Sequence, residues 1–91
     1  IIGLGVHGRI VARAADKCGI RYVGIELSPD RVEDARKAGK TVVFGDATQE
    51  AVLIEEGIKT ARALVVCISD PLATRRIVAL AKELNPTCHI I

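Results

Sequence analysis

Two spacings of apolar residues alternate along the chain. Short runs rich in β-branched residues are followed by longer segments in which apolar residues recur every three or four positions. The short runs predict strands at 1–4, 21–27, 41–44, 63–69 and 87–91. The longer segments predict helices at 6–18, 29–38, 49–56 and from 71 to about 84. Such alternation is typical of βαβ units, so we expect an α/β domain with a parallel sheet of about five strands and four helices.

Residues that favour helix ends stand where these segments meet. Ser28-Pro29 and Asp70-Pro71 each predict a side-chain N-cap followed by proline in the first helical turn. Gly19, Gly39 and Gly57 follow the first three helices, at the position where a left-handed residue commonly ends a helix. The predicted helix boundaries therefore rest on capping chemistry as well as on periodicity.

The same pattern predicts which surfaces are buried. In the first helix, Val11, Ala14, Ala15 and Cys18 share one face, and this face is expected to pack on the sheet. The run at 63–69 is the most continuously apolar, as expected of a central strand covered on both faces. The three cysteines contain no Cys-x-x-Cys pair and are expected to face the core as small apolar residues, so no metal site is predicted.

The length of 91 residues suits one domain with a modest core, and no linker divides the chain. The residues at 1–3 resemble the end of a strand, and those at 89–91 stop inside an apolar run. We therefore expect a single domain spanning 1–91 that is truncated at both ends, with the natural chain continuing in both directions.

Composition and charge argue against two classes of partner. Apolar residues make up 49% of the chain. They never run for the roughly 18 positions that a bilayer crossing requires, so direct membrane insertion is not expected. The 13 basic and 11 acidic residues leave a net charge of +2, and one Tyr and one Phe offer almost no surface for stacking bases. Nucleic acid is therefore not an expected partner.

The strongest chemical signal is a glycine-rich loop at 3–8, which follows a predicted strand and opens a predicted helix. Its GxGxxG spacing, with Glu26 ending the next strand 18 residues after Gly8, is that of a Rossmann-like dinucleotide-binding unit with a doubly wound parallel sheet. Gly3 allows the tight turn, Gly5 lets the backbone approach a pyrophosphate, and Gly8 lets the helix pack closely on the sheet. The amides of the first helical turn then face the anion. The alternative interpretation of this loop is a glycine turn between strand and helix that binds no ligand.

Glu26 is predicted to accept hydrogen bonds from the hydroxyls of an adenosine ribose. A carboxylate there repels a 2′-phosphate, which favours NAD(H) or an unphosphorylated adenosine nucleotide over NADP(H). The adjacent Leu27 and Ser28 belong to the same strand end and are included in the predicted site. The alternative for Glu26 is a solvated acidic residue at a strand end. Arg31, nearby on the second helix, is interpreted as a surface residue.

Two further strand ends carry polar residues. Asp46, Ala47 and Thr48 follow the third predicted strand, where an adenine ring usually lies, although Asp46 or Thr48 would serve equally well as a helix cap. Ser69 and Asp70 end the fourth strand, close to where the second half of a dinucleotide or the phosphates of a mononucleotide would reach. Capping by Asp70 before proline is the alternative, and the two roles are compatible.

Cationic side chains accompany the glycine loop. His7 lies inside the loop, Arg9 lies just inside the following helix, and Val6 stands at the first helical position. A cation beside a helix N-terminus is slightly unfavourable unless an anion is also present. His7 and Arg9 are therefore included in the predicted phosphate site, together with Val6, which lies between Gly5 and His7 in the loop.

Four segments together resemble the TrkA-N domain, the nucleotide-binding half of the RCK (regulator of potassium conductance) module. They are the glycine loop, Ile-Glu-Leu-Ser-Pro at 25–29, Phe-Gly-Asp-Ala-Thr at 44–48 and the stretch at 63–71 that ends in Ser-Asp-Pro. The resemblance covers essentially all 91 residues, and Gly-Asp-Ala-Thr is its most specific part. The Asp-Pro followed by an Ile-Val-Ala-Leu-Ala helix is most similar to Kef-type monovalent cation/proton antiporters.

This resemblance implies a regulatory domain, not an enzyme, on the cytoplasmic side of a potassium channel, transporter or antiporter in the cell membrane. Occupancy by NAD(H), AMP, ADP or ATP then gates ion flux, and family members assemble as dimers or rings. Two positions depart from the family pattern. Val6 stands where many members have an arginine, and Thr74 lies near the place where many have an asparagine.

The same fold hosts NAD-dependent oxidoreductases, and the cofactor domain of such an enzyme is the alternative function. No catalytic residue is predicted, because Tyr22, the only tyrosine, has no lysine four residues on, and neither His7 nor His89 is placed with a partner carboxylate. In an oxidoreductase, the acid and base groups could still come from a substrate domain beyond Ile91. A third alternative is a nucleotide that is structural and carries no signal.

Overall fold

All 91 residues, Ile1–Ile91, are described by the computed structural model. Four α-helices, four short strands and one 3₁₀ turn make up the regular structure. In chain order they are α1 (Val6–Lys17), β1 (Gly24–Glu26), α2 (Pro29–Lys37), β2 (Val42–Phe44), α3 (Glu50–Glu55), the 3₁₀ turn (Ile58–Thr60), β3 (Ala63–Leu64), α4 (Pro71–Leu84) and β4 (His89–Ile90). None of the helices combines the length and the apolar composition that a membrane crossing requires.

The strands form two parallel pairs that a single residue joins. β1 pairs with β2, and β3 pairs with β4. Ile2 lies between the pairs and forms parallel bridges to Ile25 on one side and Val66 on the other. Its N–H donates to the carbonyl oxygen of Val65 at 2.8 Å, and its own carbonyl oxygen accepts from the N–H of Cys67 at 2.7 Å. The order across the sheet is therefore β2, β1, the Ile2 segment, β3, β4.

The strands are shorter than the apolar runs predict. The first predicted strand contributes only Ile2 to the ladder, because Gly3 has a φ of 90° and leaves the extended conformation. Its neighbours consequently have little to pair with, and the predicted strands at 21–27 and 63–69 are too long. The predicted burial of 63–69 is also wrong, because only Leu64 is buried, while Ala63 and Ser69 are exposed.

Helices cover both faces of the sheet, and an apolar core lies between the sheet and the pair of helices on each face. One core joins α1 and α2 through Leu4, Ala12, Val32, Ala35 and Val42. The other joins α3 and α4 through Ile2, Ile25, Ala47, Leu53, Ile58, Leu64, Ile77, Leu80 and Ala81. Neighbouring residues of β2 alternate between them, because Val42 belongs to the first core and Val43 packs against the second. This is the doubly wound, Rossmann-like arrangement that the sequence predicts.

The predicted helix starts are confirmed to within one residue, and so are the two N-caps. Ser28 Oγ accepts a hydrogen bond from the N–H of Arg31 at 3.4 Å. Asp70 Oδ1 accepts from the N–H groups of Leu72 and Ala73 at 3.0 and 3.3 Å. The three helix-ending glycines all have positive φ, at 66° for Gly19, 79° for Gly39 and 95° for Gly57. Capping residues thus delimit these helices as the sequence predicts.

The buried face of α1 is rotated from the predicted one. Gly8 and Ala12, four residues apart, are its buried positions. Ala14 and Cys18, predicted to face the sheet, are exposed. The reason is the close approach at Gly8, which brings the stripe containing Gly8 and Ala12 against the sheet and turns Cys18 outward.

Asn85 directly follows α4, where the sequence predicts the last helix to end, and its side chain joins α4 to the 3₁₀ turn. Its side chain is buried, and Nδ2 donates to the carbonyl oxygens of Ile58 and Ala61, both at 2.9 Å. Asn85 Oδ1 accepts from the hydroxyl of Thr87 at 3.1 Å. The side chain therefore satisfies carbonyl groups of the 3₁₀ turn and fixes it beside the end of α4.

Candidate functional site

The N-terminus of α1 carries backbone amides without acceptors. The N–H groups from Gly5 to Gly8 donate no hydrogen bond to any other group of the chain. α2 and α4 differ, because Ser28 and Asp70 accept from amides of their first turns. The first turn of α1 also contains no acidic residue. Unpaired amides and the positive end of the helix dipole together favour an anion from outside the chain.

Two of the three loop glycines are required by the fold itself. A Cβ built on Gly3 would lie 2.7 Å from Ile68 Cγ2 and 2.9 Å from the carbonyl oxygen of Cys67. A Cβ on Gly8 would overlap the carbonyl oxygen of Gly3. The tight turn and the close packing that the sequence predicts at these two positions are both present.

Gly5 is different, because nothing in the folded chain requires a glycine there. Its φ of −74° is open to any residue. A Cβ at this position would meet only the guanidinium of Arg31, with Cζ and Nη1 at 3.7 Å, which is ordinary van der Waals contact. The missing side chain at Gly5 is instead what a closely bound ligand would need.

Glu26 is buried and hydrogen-bonded, not a solvated strand end. Only 5% of the residue is exposed. Its Oε1 accepts from the N–H of Leu4 at 2.8 Å, and its Oε2 accepts from the N–H of Ser28 at 2.7 Å. The carboxylate therefore ties the glycine loop to the end of β1. Each oxygen keeps further acceptor capacity, because a carboxylate has about four lone-pair sites.

The loop after β2 is held by Asp46. Its Oδ1 accepts from the hydroxyl of Thr48 at 2.7 Å and from the N–H of Thr48 at 3.0 Å. These hydrogen bonds hold the pKa of Asp46 below its ordinary value of 3.8, and the bond from the Thr48 hydroxyl contributes most. The N-cap of α3 is Gln49, so Asp46 forms a turn before the helix rather than capping it. The side chain of Ala47 points into the core, which leaves only its backbone for a ligand.

A cavity of about 80 Å³ lies at the carboxyl ends of the strands. The structure brings six of the predicted site residues to it: Gly3, Glu26, Leu27, Asp46, Ala47 and Thr48. Ala73 and Ile77 of α4 form part of its wall. Pockets that enclose drug-sized ligands usually measure roughly 300–1,000 Å³. The cavity alone is therefore too small to enclose a ligand of that size.

A larger groove of about 570 Å³ is lined by residues of α2 and by Phe44. It contains no residue of the glycine loop, and its walls include no N-terminal amides without acceptors. By volume alone, this groove would be the better candidate for a ligand site. The amides without acceptors, however, lie at the N-terminus of α1, near the strand ends where ligands of open parallel sheets bind.

The other eight predicted residues, Gly5 and Gly8 among them, are not part of the cavity wall. Val6, His7, Arg9, Ser69 and Asp70 are exposed and lie outside its wall. Arg9 turns back toward the loop and donates from Nε to the carbonyl oxygen of Gly5 at 3.4 Å. Ser28 is half-buried, and its backbone N–H and hydroxyl are used by Glu26 and by α2.

Sequence reasoning missed the position of Arg31. Its guanidinium lies beside Gly5, with Nη1 4.0 Å from Glu26 Oε1. The sequence indicated only the neighbourhood of Arg31 and not its contact with Gly5, because Arg31 is the third residue after the Ser28 cap. A side chain in the first turn of the helix after β1 lies at the same sheet edge as the glycine loop.

The family model of the TrkA-N domain matches residues 1–91. The chain belongs to the TrkA-N domain family. The resemblance found in the glycine loop and in Gly-Asp-Ala-Thr is thereby confirmed.

This TrkA-N domain is 37% identical to the glutathione-regulated potassium-efflux system protein KefC of Enterobacter sp. (strain 638). That match covers 100% of this chain but 15% of KefC, so the domain spans a small part of such relatives. It is also similar to the TrkA-N domain of inner membrane protein ybaL from Escherichia coli, with a TM-score of 0.89 and 29% identity over 98% of this chain and 66% of that one. It is similar as well to the Kef CTD of Shewanella denitrificans in AMP-bound form. The TM-score is 0.84, and the two are 29% identical over 98% of this chain and 52% of that one.

The loop glycines allow a paired test of fold against ligand site. We expect Gly8→Ala to destabilise the TrkA-N domain by about 1–3 kcal/mol or more, because its Cβ overlaps backbone. Gly5→Ala should change stability by less than about 1 kcal/mol, since its Cβ would make only ordinary van der Waals contact with a flexible side chain. Urea denaturation followed by circular dichroism measures both. Equal losses in the two variants would contradict this division of roles.

Asp46 gives a prediction for pH. Because its folded-state pKa is depressed, the carboxylate stabilises the fold above pH 3.8 and loses that contribution as the pH falls through the folded value. Asp46→Asn removes the charge but keeps an acceptor oxygen. The variant should be less stable than the parent at pH 7, and the difference should shrink below about pH 4. Asp34→Asn, at an exposed residue without a side-chain partner, is the control. A difference that stays constant from pH 7 to pH 3 would refute the assignment.

Proposed function

We propose that this TrkA-N domain binds NAD(H) or an adenine nucleotide at the strand-end crevice and thereby regulates transport of potassium or another monovalent cation. The observation that carries the proposal is the set of backbone amides from Gly5 to Gly8, which have no acceptor in the chain. Four orphan donors at a helix N-terminus are suited to phosphate oxygens.

The crevice offers a partner for each part of such a ligand. The diphosphate or monophosphate lies over Gly5 and the first turn of α1, with His7 and Arg9 at the rim. Glu26 accepts from the ribose hydroxyls with its remaining lone pairs, while its charge disfavours a 2′-phosphate. Asp46, Ala47 and Thr48 lie on the adenine side. Ser69 and Asp70 lie where the second half of a dinucleotide reaches.

Similarity to transport proteins supports the regulatory part of the proposal. One similar solved structure is a Kef CTD in AMP-bound form, and the KefC relatives are potassium-efflux system proteins. We propose further that the domain is attached to a membrane-embedded cation transporter or channel, at the cytoplasmic face of the cell membrane, and that it forms a homodimer or a larger ring. A nucleotide that binds one arrangement of the domains better than another then shifts the gate, and such couplings typically amount to about 1–3 kcal/mol.

No feature of the chain favours the cofactor domain of an oxidoreductase instead. The hydroxyl of Tyr22 donates to Asp16 Oδ2 at 3.5 Å, and Asp16 in turn pairs with Lys40. This group lies outside the wall of the crevice. The loop residue His7 has no carboxylate partner within 4.0 Å. The proposed domain is therefore a ligand sensor without catalytic residues of its own.

Thermal melts of the chain with NAD⁺, NADH, NADP(H), AMP, ADP and ATP test the binding claim. A ligand at 100 times its Kd should stabilise the fold by about 2.7 kcal/mol and raise Tm by roughly 10 °C or more. Gly5→Ala should keep its fold but lose this response, because its Cβ obstructs the phosphate. The absence of a shift with every ligand would refute binding, and a preference for NADP(H) would overturn the role given to Glu26.

The regulatory claim has a separate readout. In the full-length transporter, Gly5→Ala should abolish the effect of the nucleotide on cation flux while leaving the flux mechanism intact. Full regulation in a variant that no longer binds nucleotide would favour a purely structural ligand.

A further inference from the structure

Arg31 occupies the approach to the phosphate loop. The ideal Cβ position of Gly5 lies 3.7 Å from its Cζ, 3.7 Å from Nη1 and 4.0 Å from Nη2. These similar distances mean that the guanidinium presents its flat side to Gly5. A phosphate that approaches the Gly5 backbone closely must enter the space that this group now fills.

The charges around Gly5 are unbalanced. The guanidinium of Arg31 lies beside the ideal Cβ position of Gly5, and Arg9 donates to the Gly5 carbonyl oxygen. The only carboxylate in ion-pair range of either arginine is that of Glu26, at 4.0 Å from Arg31 Nη1. Both oxygens of Glu26 already accept from backbone N–H groups at 2.8 and 2.7 Å. The guanidinium of Arg31 therefore has one weak partner, and 61% of its side chain is exposed.

A ligand entering here changes the partner of Arg31. It displaces the guanidinium from the space above Gly5 and separates it from Glu26, whose free lone pairs face the incoming ribose. A nucleoside offers the displaced guanidinium no anion. A phosphate offers the planar guanidinium two oxygens that it can bind in a bidentate, charge-assisted contact.

We propose that Arg31 makes ligand binding at this site depend on a phosphate group, by exchanging its contact with Glu26 for one with the ligand. This inference rests on the proposed function and specifies its ligand class. Arg31 gains no anionic partner when uncharged adenosine binds, and it holds the phosphate of AMP or NAD(H). The adjacent residue Val6 is apolar and cannot take this role, and Arg9 is turned toward the Gly5 carbonyl.

The test compares AMP with adenosine in NMR titrations of the full chain, which measure dissociation constants into the millimolar range. Arg31→Ala should weaken AMP binding roughly 10-fold or more, the loss of one charge-assisted hydrogen bond, and leave adenosine binding unchanged or stronger. Arg31→Lys, which keeps the charge but not the planar fork, should lie between the parent and Arg31→Ala.

Arg36→Ala is the matched control, because it removes the same charge from an exposed residue in the last turn of α2. It should leave the ratio of AMP to adenosine affinity unchanged. An unchanged ratio in Arg31→Ala, or an equal fall in Arg36→Ala, would overturn the inference while the proposed function stands. Failure of the parent chain to bind AMP or any other nucleotide would refute the proposed function and the inference with it.

Discussion

The contact between Gly8 and the carbonyl oxygen of Gly3 sets the geometry on which the rest of the site depends. No side chain fits between them, so α1 lies directly against the end of the Ile2 segment. Gly3 in turn leaves the extended conformation, with a φ of 90°, and directs the chain over the strand ends. The amides from Gly5 to Gly8 consequently have no acceptor in the chain. The helix packing and the unpaired amides of the proposed anion site are therefore two results of one backbone contact.

Glu26 fixes this loop from the other side. A buried carboxylate needs several hydrogen bonds to offset its lost hydration, and Glu26 obtains them from the backbone of Leu4 and Ser28. The same residue that orients a ribose in the proposed complex thus holds the empty loop in position. A substitution at Glu26 would disturb both roles, whereas Gly5 and Arg31 touch the proposed ligand region and contribute little to the core. Those two residues are the ones that separate binding from folding.

The features that depend on local sequence were predictable. Helix starts, the caps at Ser28 and Asp70, and the left-handed glycines follow from short-range chemistry, and the alternation of elements indicated the doubly wound sheet. Strand lengths were not predictable, because they depend on how long each neighbour stays extended, and Gly3 ends the central segment early. The buried face of α1 is shifted by the contact at Gly8.

The candidate site was predictable in outline but not in its contacts. The spacing of Gly8 and Glu26 indicated which strand ends meet, and six predicted residues line one cavity. Which hydrogen bonds Glu26 accepts, and that Arg31 lies over Gly5, depend on tertiary distances that no spacing contains. The difference matters for the proposed function, because the role proposed for Arg31 makes binding depend on the phosphate that NAD(H) and the adenine nucleotides all carry.

The most direct test of this account is amide hydrogen exchange at residue resolution with and without nucleotide. The account predicts that the amides from Gly5 to Gly8 exchange rapidly in the free domain, since none has an acceptor, and become protected when AMP or NAD⁺ binds. Protection confined to the groove between α2 and Phe44, with the loop amides still exchanging rapidly, would contradict it.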